Sequence, residues 1–503
     1  MPLARVFSSA LLGIEAIAID VEVDHKPSDK TQLVLVGLPD LAVKESKDRV
    51  LTAMRNSNFS LPPFNCTINL APAAIKKEGA FYDLPIALGI LQASGELGTA
   101  NLSDYLCIGE LSLSGSTRPI RGALAAGQLA RQLGKKGIIL PKENVSELYS
   151  LPISVIGVET LFDACQFLRN PAAYPAPPII ADEQELPITI DLDLQEIKGQ
   201  MHVKRALEIA AAGNHNILLY GPPGTGKTML AKALGGILPP LSTDETLEVM
   251  TIQSVAGLLS AKNSRARMRP FRAPHHTIST IGLVGGGSHL KPGELSLAHQ
   301  GILFLDELPE FARATLEALR QPLENGTVTL SRATGTATFP TRCLFIAAMN
   351  PCPCGYLGHP QKTCRDTELQ IARYRSKISG PLLERIDMQV EVPVIPFHEI
   401  QKTTAVESSL QVRARVLEAR KVQEERLGKG RTNSNMRQTE IAKFAALDTT
   451  CQNFIHQAMQ SLGLSMRSYH RLLKVARTIA DLSGSPSLRE EHLLEASSFR
   501  SLK

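Results

Sequence analysis

The run Gly221-Pro222-Pro223-Gly224-Thr225-Gly226-Lys227-Thr228 constrains this chain more tightly than any other stretch. It fits G-x-x-x-x-G-K-[ST], follows the apolar segment 216–220 and leads into a helical pattern over 229–238. Glycines let successive backbone N–H groups converge on phosphate oxygens, and the start of a helix adds a favourable dipole. Lys227 is spaced to reach β- and γ-phosphates, and Thr228 to ligate Mg²⁺. Such a loop sits at the carboxyl end of a buried strand, so the chain around it must build a parallel α/β sheet.

Two further strand signals fit that sheet. Gly301-Ile-Leu-Phe-Leu-Asp306-Glu307 is apolar throughout and ends in two acids. A strand buried on both faces reads this way. At its end Asp306 is expected to hold the Mg²⁺ shell and Glu307 to polarise an attacking water as general base. The segment 343–349 is a third such strand, ending in Asn350, whose amide can orient that water or simply form the turn before Pro351. Downstream, Ser379-Gly-Pro-Leu-Leu-Glu-Arg385-Ile-Asp387 closes on an arginine. Arg385 reads either as a finger into a neighbouring subunit's site or as a surface salt bridge.

The 503 residues predict two to four domains, and 43% hydrophobic with 20% charged residues is ordinary globular material. A formal charge of +5, from 54 basic and 49 acidic residues, is too weak to argue for nucleic acid by itself. Glu15 and Asp20 interrupt the apolar N-terminus, so no signal peptide or membrane span is expected, and the cytoplasm is the expected compartment. From Ile17 to Asp24 apolar and polar residues alternate as in a half-buried strand.

Residues 171–193 are rich in proline and acids and read as an extended linker. It separates residues 1–170, of mixed strand and helix signals, from an α/β core over 194–395 and a helical region over 396–503. The core opens with a helical pattern over 195–213. The last region shows helices over 408–427, 438–446, 449–462, 466–482 and 488–498.

Between Lys227 and Asp306 lie far more residues than one helix and one strand need. This insert holds Lys262, Arg265, Arg267, Arg269 and Arg272 with no acid among them. It reads as a DNA-facing loop, or as a solvated face or subunit contact. The segment 326–339 reads as a threonine-rich hairpin with Arg332 near its tip. The chain has no tryptophan, so backbone tracking fits better than base stacking. His275 and His276 are adjacent; on a strand they face opposite ways and cannot share a metal, which favours a structural or nucleotide-sensing role.

Five of the eight cysteines are scattered, but Cys352, Cys354 and Cys364 lie within thirteen residues, with His359 between them and Asp366 just after. Three thiolates plus a histidine or carboxylate can bind Zn²⁺. C-x-C is tighter than the usual C-x₂-C, and three reduced structural thiols are the alternative.

The order of parts resembles an AAA+ ATPase. Phe271-Arg-Ala-Pro-His-His276, Gly285-Gly-Gly287, Pro292-Gly-Glu-Leu-Ser-Leu-Ala-His299, Asn350-Pro-Cys-Pro-Cys-Gly355 and the 379–387 motif look like the magnesium-chelatase-like group. The N-terminal region and the ending Ser468-Tyr-His-Arg-Leu-Leu-Lys-Val-Ala-Arg-Thr-Ile-Ala-Asp481 narrow this to the ComM/YifB family, over essentially the whole chain. The family is one of hexameric DNA helicases that promote branch migration during natural transformation. The resemblance implies ATP and Mg²⁺, a homo-hexamer on branched, single- and double-stranded DNA, and contact with the recombination machinery. It implies roles for Lys227, Thr228, Asp306, Glu307, Asn350, Arg385 and, as second sensor, Arg467. It implies that 326–339 is the hairpin before the first sensor, which projects toward DNA and suits Arg332 to a sequence-blind phosphate contact. It implies that a fourth cysteine often stands near position 366, where this chain has Asp366. Residues 1–170 resemble the Lon-protease-like βα fold, with Phe81 where the nucleophilic serine would stand. A phenyl ring cannot attack a carbonyl, so this region is read as non-proteolytic, a DNA-binding or ring-stabilising platform. The helix-like segment 42–54, with Lys44, Lys47, Arg49 and the following Arg55, offers it a modest basic face. A DNA-translocating motor is therefore favoured over a chelatase-type motor that remodels a protein partner, and over a protease.

Overall fold

The computed structural model describes residues 3–59, 61–77, 79, 81–174, 192–259, 268–287, 290–332, 335–396, 407–462 and 465–500. Most of the linker, residues 175–191, and the insert positions Lys262, Arg265 and Arg267 lie outside them.

The N-terminal part is built on a seven-stranded sheet. Its strands run, across the sheet, Gln32–Val36, Phe64–Ala71, Glu15–Pro27, Leu3–Leu12, Tyr105–Cys107, Gly137–Pro141 and Ser154–Val158. Leu3–Leu12 and Glu15–Pro27 pair as an antiparallel hairpin, and the alternation around Ile17–Asp24 does its work there: Ile19, Val21 and Val23 are wholly buried. The helix Leu41–Asn56 starts at Asp40, whose carboxylate caps Val43 N–H at 2.8 Å. The expected basic face on this helix loses Arg49, whose guanidinium turns inward to the buried Asp83 at 2.9 Å. Lys44, Lys47 and Arg55 remain exposed.

The second sheet has five parallel strands in the order Phe271–Arg272, Ile302–Leu305, Leu344–Met349, Ile217–Tyr220, Met388–Glu391. Alternate residues enter different cores. Leu219, Phe304, Ile346 and Val390 pack with the helices Met201–Gly213 and Lys227–Ile237. Leu218, Leu305 and Ala347 pack with Leu283, Leu308 and Phe311 on the other face. Cover on both faces explains why the three inner strands, Ile302–Leu305, Leu344–Met349 and Ile217–Tyr220, are apolar at every position.

The helical pattern over 195–213 is corrected at its start. Leu194–Glu196 is a single 3₁₀ turn and the helix runs Met201–Gly213. Gly199 and Gln200 take left-handed φ values of 63° and 58°, which turn the chain before the helix begins. The Gln200 amide holds that turn by donating to the Pro393 carbonyl at 2.9 Å. The C-terminal helices are Ser409–Leu427, Gln438–Phe444, Thr449–Leu462, Met466–Leu482 and Glu490–Ser498, close to the sequence expectation. Among the described residues no helix is long and apolar enough to cross a membrane.

Among the described residues the two α/β units touch at two places. The helix Thr243–Ala256, which leads into the basic insert, packs on Ala123–Gln132. There Ser254 Oγ donates to Glu147 at 2.5 Å, and Gln128 donates to Thr251 at 3.1 Å. The expected hairpin, Thr327–Arg332 with Gly335–Pro340, buries Val328, Ala337 and Phe339 against Ile14. Gly13, at φ 66°, lies so close that a Cβ there would stand 3.0 Å from Ala337 Cβ.

Candidate nucleotide site

The loop after Ile217–Tyr220 is shaped by its glycines. Gly224 and Gly226 have φ values of 78° and 85°, and a Cβ on Gly221 would stand 2.2 Å from the Val392 carbonyl oxygen. Gly226 leaves the N-terminus of Lys227–Ile237 without a side-chain cap, so its first N–H groups face outward for an anion. Lys227 is buried and its ammonium donates to the carbonyls of Gly221 at 2.7 Å and Pro222 at 2.8 Å. Burial pulls the Lys227 pKa below its ordinary value, with Asp306 opposing that shift. Thr228 Oγ1 donates to Asp306 Oδ2 at 2.7 Å, so the hydroxyl and the carboxylate expected to share a Mg²⁺ are already neighbours. An N–H cradle, a buried cation and a hydroxyl–carboxylate pair are the donor set that a nucleoside triphosphate with Mg²⁺ needs.

Glu307 takes a left-handed φ of 52° at the end of Ile302–Leu305. That conformation costs a non-glycine residue roughly 1–2 kcal/mol, and such strain concentrates at functional sites. Its carboxylate lies 3.3 Å from His276 Nδ1. The expectation that His275 and His276 face apart is corrected: their ring centroids are 4.0 Å apart. The strand ends at Arg272, so the strict alternation of a strand no longer holds at 275–276. Asn350 ends the neighbouring strand and its Oδ1 accepts from Lys227 at 3.1 Å.

Arg385 and Arg467 lie elsewhere. Both pair with Glu324, Arg385 on one carboxylate oxygen and Arg467 on the other. This is the amino-terminal edge of the parallel sheet: Met388 N–H bonds to Asn216, just before Ile217. The P-loop begins at the opposite end of that strand, about 13 Å away at ~3.3 Å per residue. Asp387 anchors the edge, accepting from Arg471 at 2.5 Å and from Asn216 N–H at 3.1 Å. Burial would raise its carboxyl pKa, but Arg471, His215 and Arg500 outweigh burial and hold it well below the carboxylate range. A cavity of about 730 Å³ opens beside it, lined by Arg342, Arg431, Arg437, Arg467, Arg471 and Lys474. Glu324 carried no signal in the sequence, being one glutamate in a short helix.

Two of the arginines expected at DNA are paired within the fold. Arg269 is turned inward and donates to the carbonyls of Pro239 at 2.7 Å and Gln300 at 2.6 Å and to Glu245 at 3.0 Å. Arg272 forms a two-bond pair with Glu294 at 2.6 and 2.7 Å. Their cations are satisfied within the fold. Arg332 stands exposed at the end of the strand Thr327–Arg332, paired with Gly335. The three clustered cysteines do converge, with sulfurs 3.4–3.6 Å apart.

Residues 193–400 match the family model for magnesium chelatase, subunit ChlI, residues 21–144 the model for subunit ChlI of Mg-chelatase, and residues 406–500 that for its C-terminal part. The chain is 45% identical to competence protein ComM of Haemophilus influenzae, over all of this chain and 98% of that protein. This chain belongs to the ComM/YifB family. YifB of Salmonella typhimurium is 44% identical over the same full span, with 98% of its own length covered. The family's magnesium-chelatase-like AAA+ core is the five-stranded unit, and its helical C-terminus is the run of helices from Ser409. The N-terminal unit is Lon-like: the Lon protease of Halothermothrix orenii is 28% identical over 27% of this chain and 18% of its own.

Proposed function

We propose that this protein is an ATP-hydrolysing DNA translocase that drives branch migration when incoming DNA recombines during natural transformation. It acts in the cytoplasm as a homo-hexameric ring, on branched, single- and double-stranded DNA beside the recombination machinery. The observation that carries the motor reading is the separation of Arg385 and Arg467 from their own P-loop. Two arginines with a cationic cavity at the sheet's far edge suit a neighbouring copy's nucleotide. A ring supplies that neighbour at every interface. The DNA reading rests on full-length likeness to a competence protein and on the exposed Arg332.

Bound ATP brings the phosphoanhydride to be hydrolysed, and Mg²⁺ its charge neutralisation. In this reading the 221–228 loop binds the phosphates, Lys227 neutralises them, and Thr228 with Asp306 holds the ion. Glu307 takes a proton from water, Asn350 orients that water, and Arg385 and Arg467 stabilise charge across the subunit boundary. Residues 194–395 are the motor, 396–503 its lid, 171–193 a linker, and 1–170 a non-proteolytic platform. Cys352, Cys354 and Cys364 hold Zn²⁺. The match of 193–400 to a magnesium-chelatase subunit favours a second reading, a motor that remodels a protein partner.

The test is unwinding of forked and Holliday-type DNA by the purified protein, with and without ATP. ATP-dependent conversion of these substrates supports the translocase. ATP turnover without any effect of or on DNA favours the protein-remodelling reading.

A further inference from the structure

From 351 to 367 the chain runs seventeen residues with no helix or strand. Loops beyond about 12–15 residues are uncommon in compact folds and need something to hold them. Apolar burial does not hold this one: only Pro351, Cys352 and Gly355 in it are buried. Yet its first part is tied to the nucleotide site. Asn350 precedes it, with its side chain on Lys227. Gly355 rests so closely on the P-loop that a Cβ there would stand 2.8 Å from Pro223.

What the loop does bring together is Cys352, Cys354, Cys364 and Asp366, whose ligand atoms all lie within 4.8 Å of one another. The three sulfur separations are 3.4, 3.6 and 3.6 Å, and Cys364 Sγ lies 3.8 Å from Asp366 Oδ2. A tetrahedron with Zn–S bonds of about 2.3 Å has S···S edges of about 3.8 Å, and one carboxylate corner shortens the S···O edge to about 3.5 Å. The three sulfurs therefore stand nearly where one face of such a tetrahedron puts them, with the Asp366 carboxylate beside them near its fourth corner. A disulfide needs sulfurs at about 2.0 Å and leaves an odd thiol among three. The surroundings suit thiolates and carboxylate: Leu357 N–H points at Cys352 Sγ at 3.4 Å, and Cys354 N–H donates to Asp366 Oδ2 at 2.8 Å. His359 is drawn off the cluster, its Nδ1 accepting the N–H groups of Gln361 and Lys362 at 3.1 Å each.

Resting on the zinc reading above, we infer that Asp366 is the fourth ligand of a closed Cys₃Asp Zn²⁺ site that braces the loop between Asn350 and the P-loop, so that ATP turnover depends on the metal. Four protein ligands and no open position make the site structural rather than catalytic. Its contribution to hydrolysis is to hold Asn350 and Pro223 in place.

Metal analysis of the full-length protein is expected to give one Zn²⁺ per chain, and Co²⁺ replacement to give intense visible bands of tetrahedral thiolate coordination. Asp366→Cys should keep the metal. Asp366→Ala should weaken it at least about 100-fold, since losing even an outer partner of a ligand costs 10–100-fold. Stripping Zn²⁺ from the wild-type chain with a chelator, then passing it into Mg²⁺ buffer, should abolish ATP turnover until Zn²⁺ is returned. No zinc and no tetrahedral Co²⁺ spectrum would overturn the metal reading and the brace together. Unchanged affinity in Asp366→Ala would overturn the fourth ligand, and full turnover in the stripped protein would overturn the brace. The DNA assay is independent of all three outcomes.

Discussion

His276 Nδ1 lies 3.3 Å from Glu307 Oε2, and Glu307 is one of the few non-glycine residues in the left-handed region. The ring meets the carboxylate that strained backbone has turned outward, and fixes its orientation. Glu307→Gln is expected to bind ATP normally and to lose turnover by ~10²–10⁴, since an amide cannot accept the water's proton. His276→Ala should lower kcat with ATP affinity unchanged. A parallel loss of affinity would make His276 a nucleotide contact instead.

Lys227→Ala should abolish nucleotide binding with little change in Tm. The ammonium is the buried charge of the loop, while the strand and helix on either side are held by their own apolar cores. ATP affinity and melting temperature measured together check this, and normal affinity would remove the assignment.

Arg385→Ala and Lys227→Ala should each be inactive alone and regain ATPase when mixed. In a mixed ring some interfaces pair an intact P-loop with an intact Arg385 from the next copy. A mixture as inactive as its parts would place the arginine's action within its own subunit.

Arg265, Arg267 and Arg332 changed together to alanine should weaken DNA binding across sequences. They should also flatten its salt dependence by up to ~0.9 log unit per lost contact on duplex DNA. Basal ATPase should survive. Arg269→Ala should behave oppositely, destabilising the fold by about 1–3 kcal/mol through unpaired carbonyls and Glu245 while leaving the salt slope unchanged. Denaturant unfolding and binding at several salt concentrations separate the two sets.

Asp387→Asn should lower Tm at neutral pH. The native carboxyl is depressed by Arg471, His215 and Arg500 against the cost of burial. Its stabilising contribution is therefore full above the unfolded value of about 3.9 and lost as pH falls below it. The gap between variant and wild type should close on acidification; a gap independent of pH would assign the effect to packing alone.

Much of this was legible in the residues, because local chemistry dictated it. Gly224 and Gly226 mark a left-handed turn, the apolar run before Asp306 marks a strand buried on both faces, and the periodicity after Ser408 marks helices. What escaped depended on contacts distant in sequence. Arg269 looks like part of a basic stripe until Pro239, Gln300 and Glu245 surround it. His275 and His276 face apart only on a strand, and the strand stops short of them. Glu324 becomes meaningful only where Arg385 and Arg467 meet on it. His359 and Asp366 are equal candidates by spacing, and backbone donors to His359 Nδ1 separate them.

The turn at Gly13 and Ile14 sits under Ala337 and Phe339 of the hairpin that ends at Arg332. The five-stranded unit thus lacks part of the apolar cover of its hairpin without the first fifteen residues of the chain. Removing the N-terminal unit would take Ile14 away from Val328, Ala337 and Phe339 and leave Val284, Leu290 and Leu330 as their remaining apolar cover. The Lon-like unit is therefore part of the hairpin's support rather than a detachable accessory, and a methyl group at residue 13 would press on Ala337 Cβ at 3.0 Å.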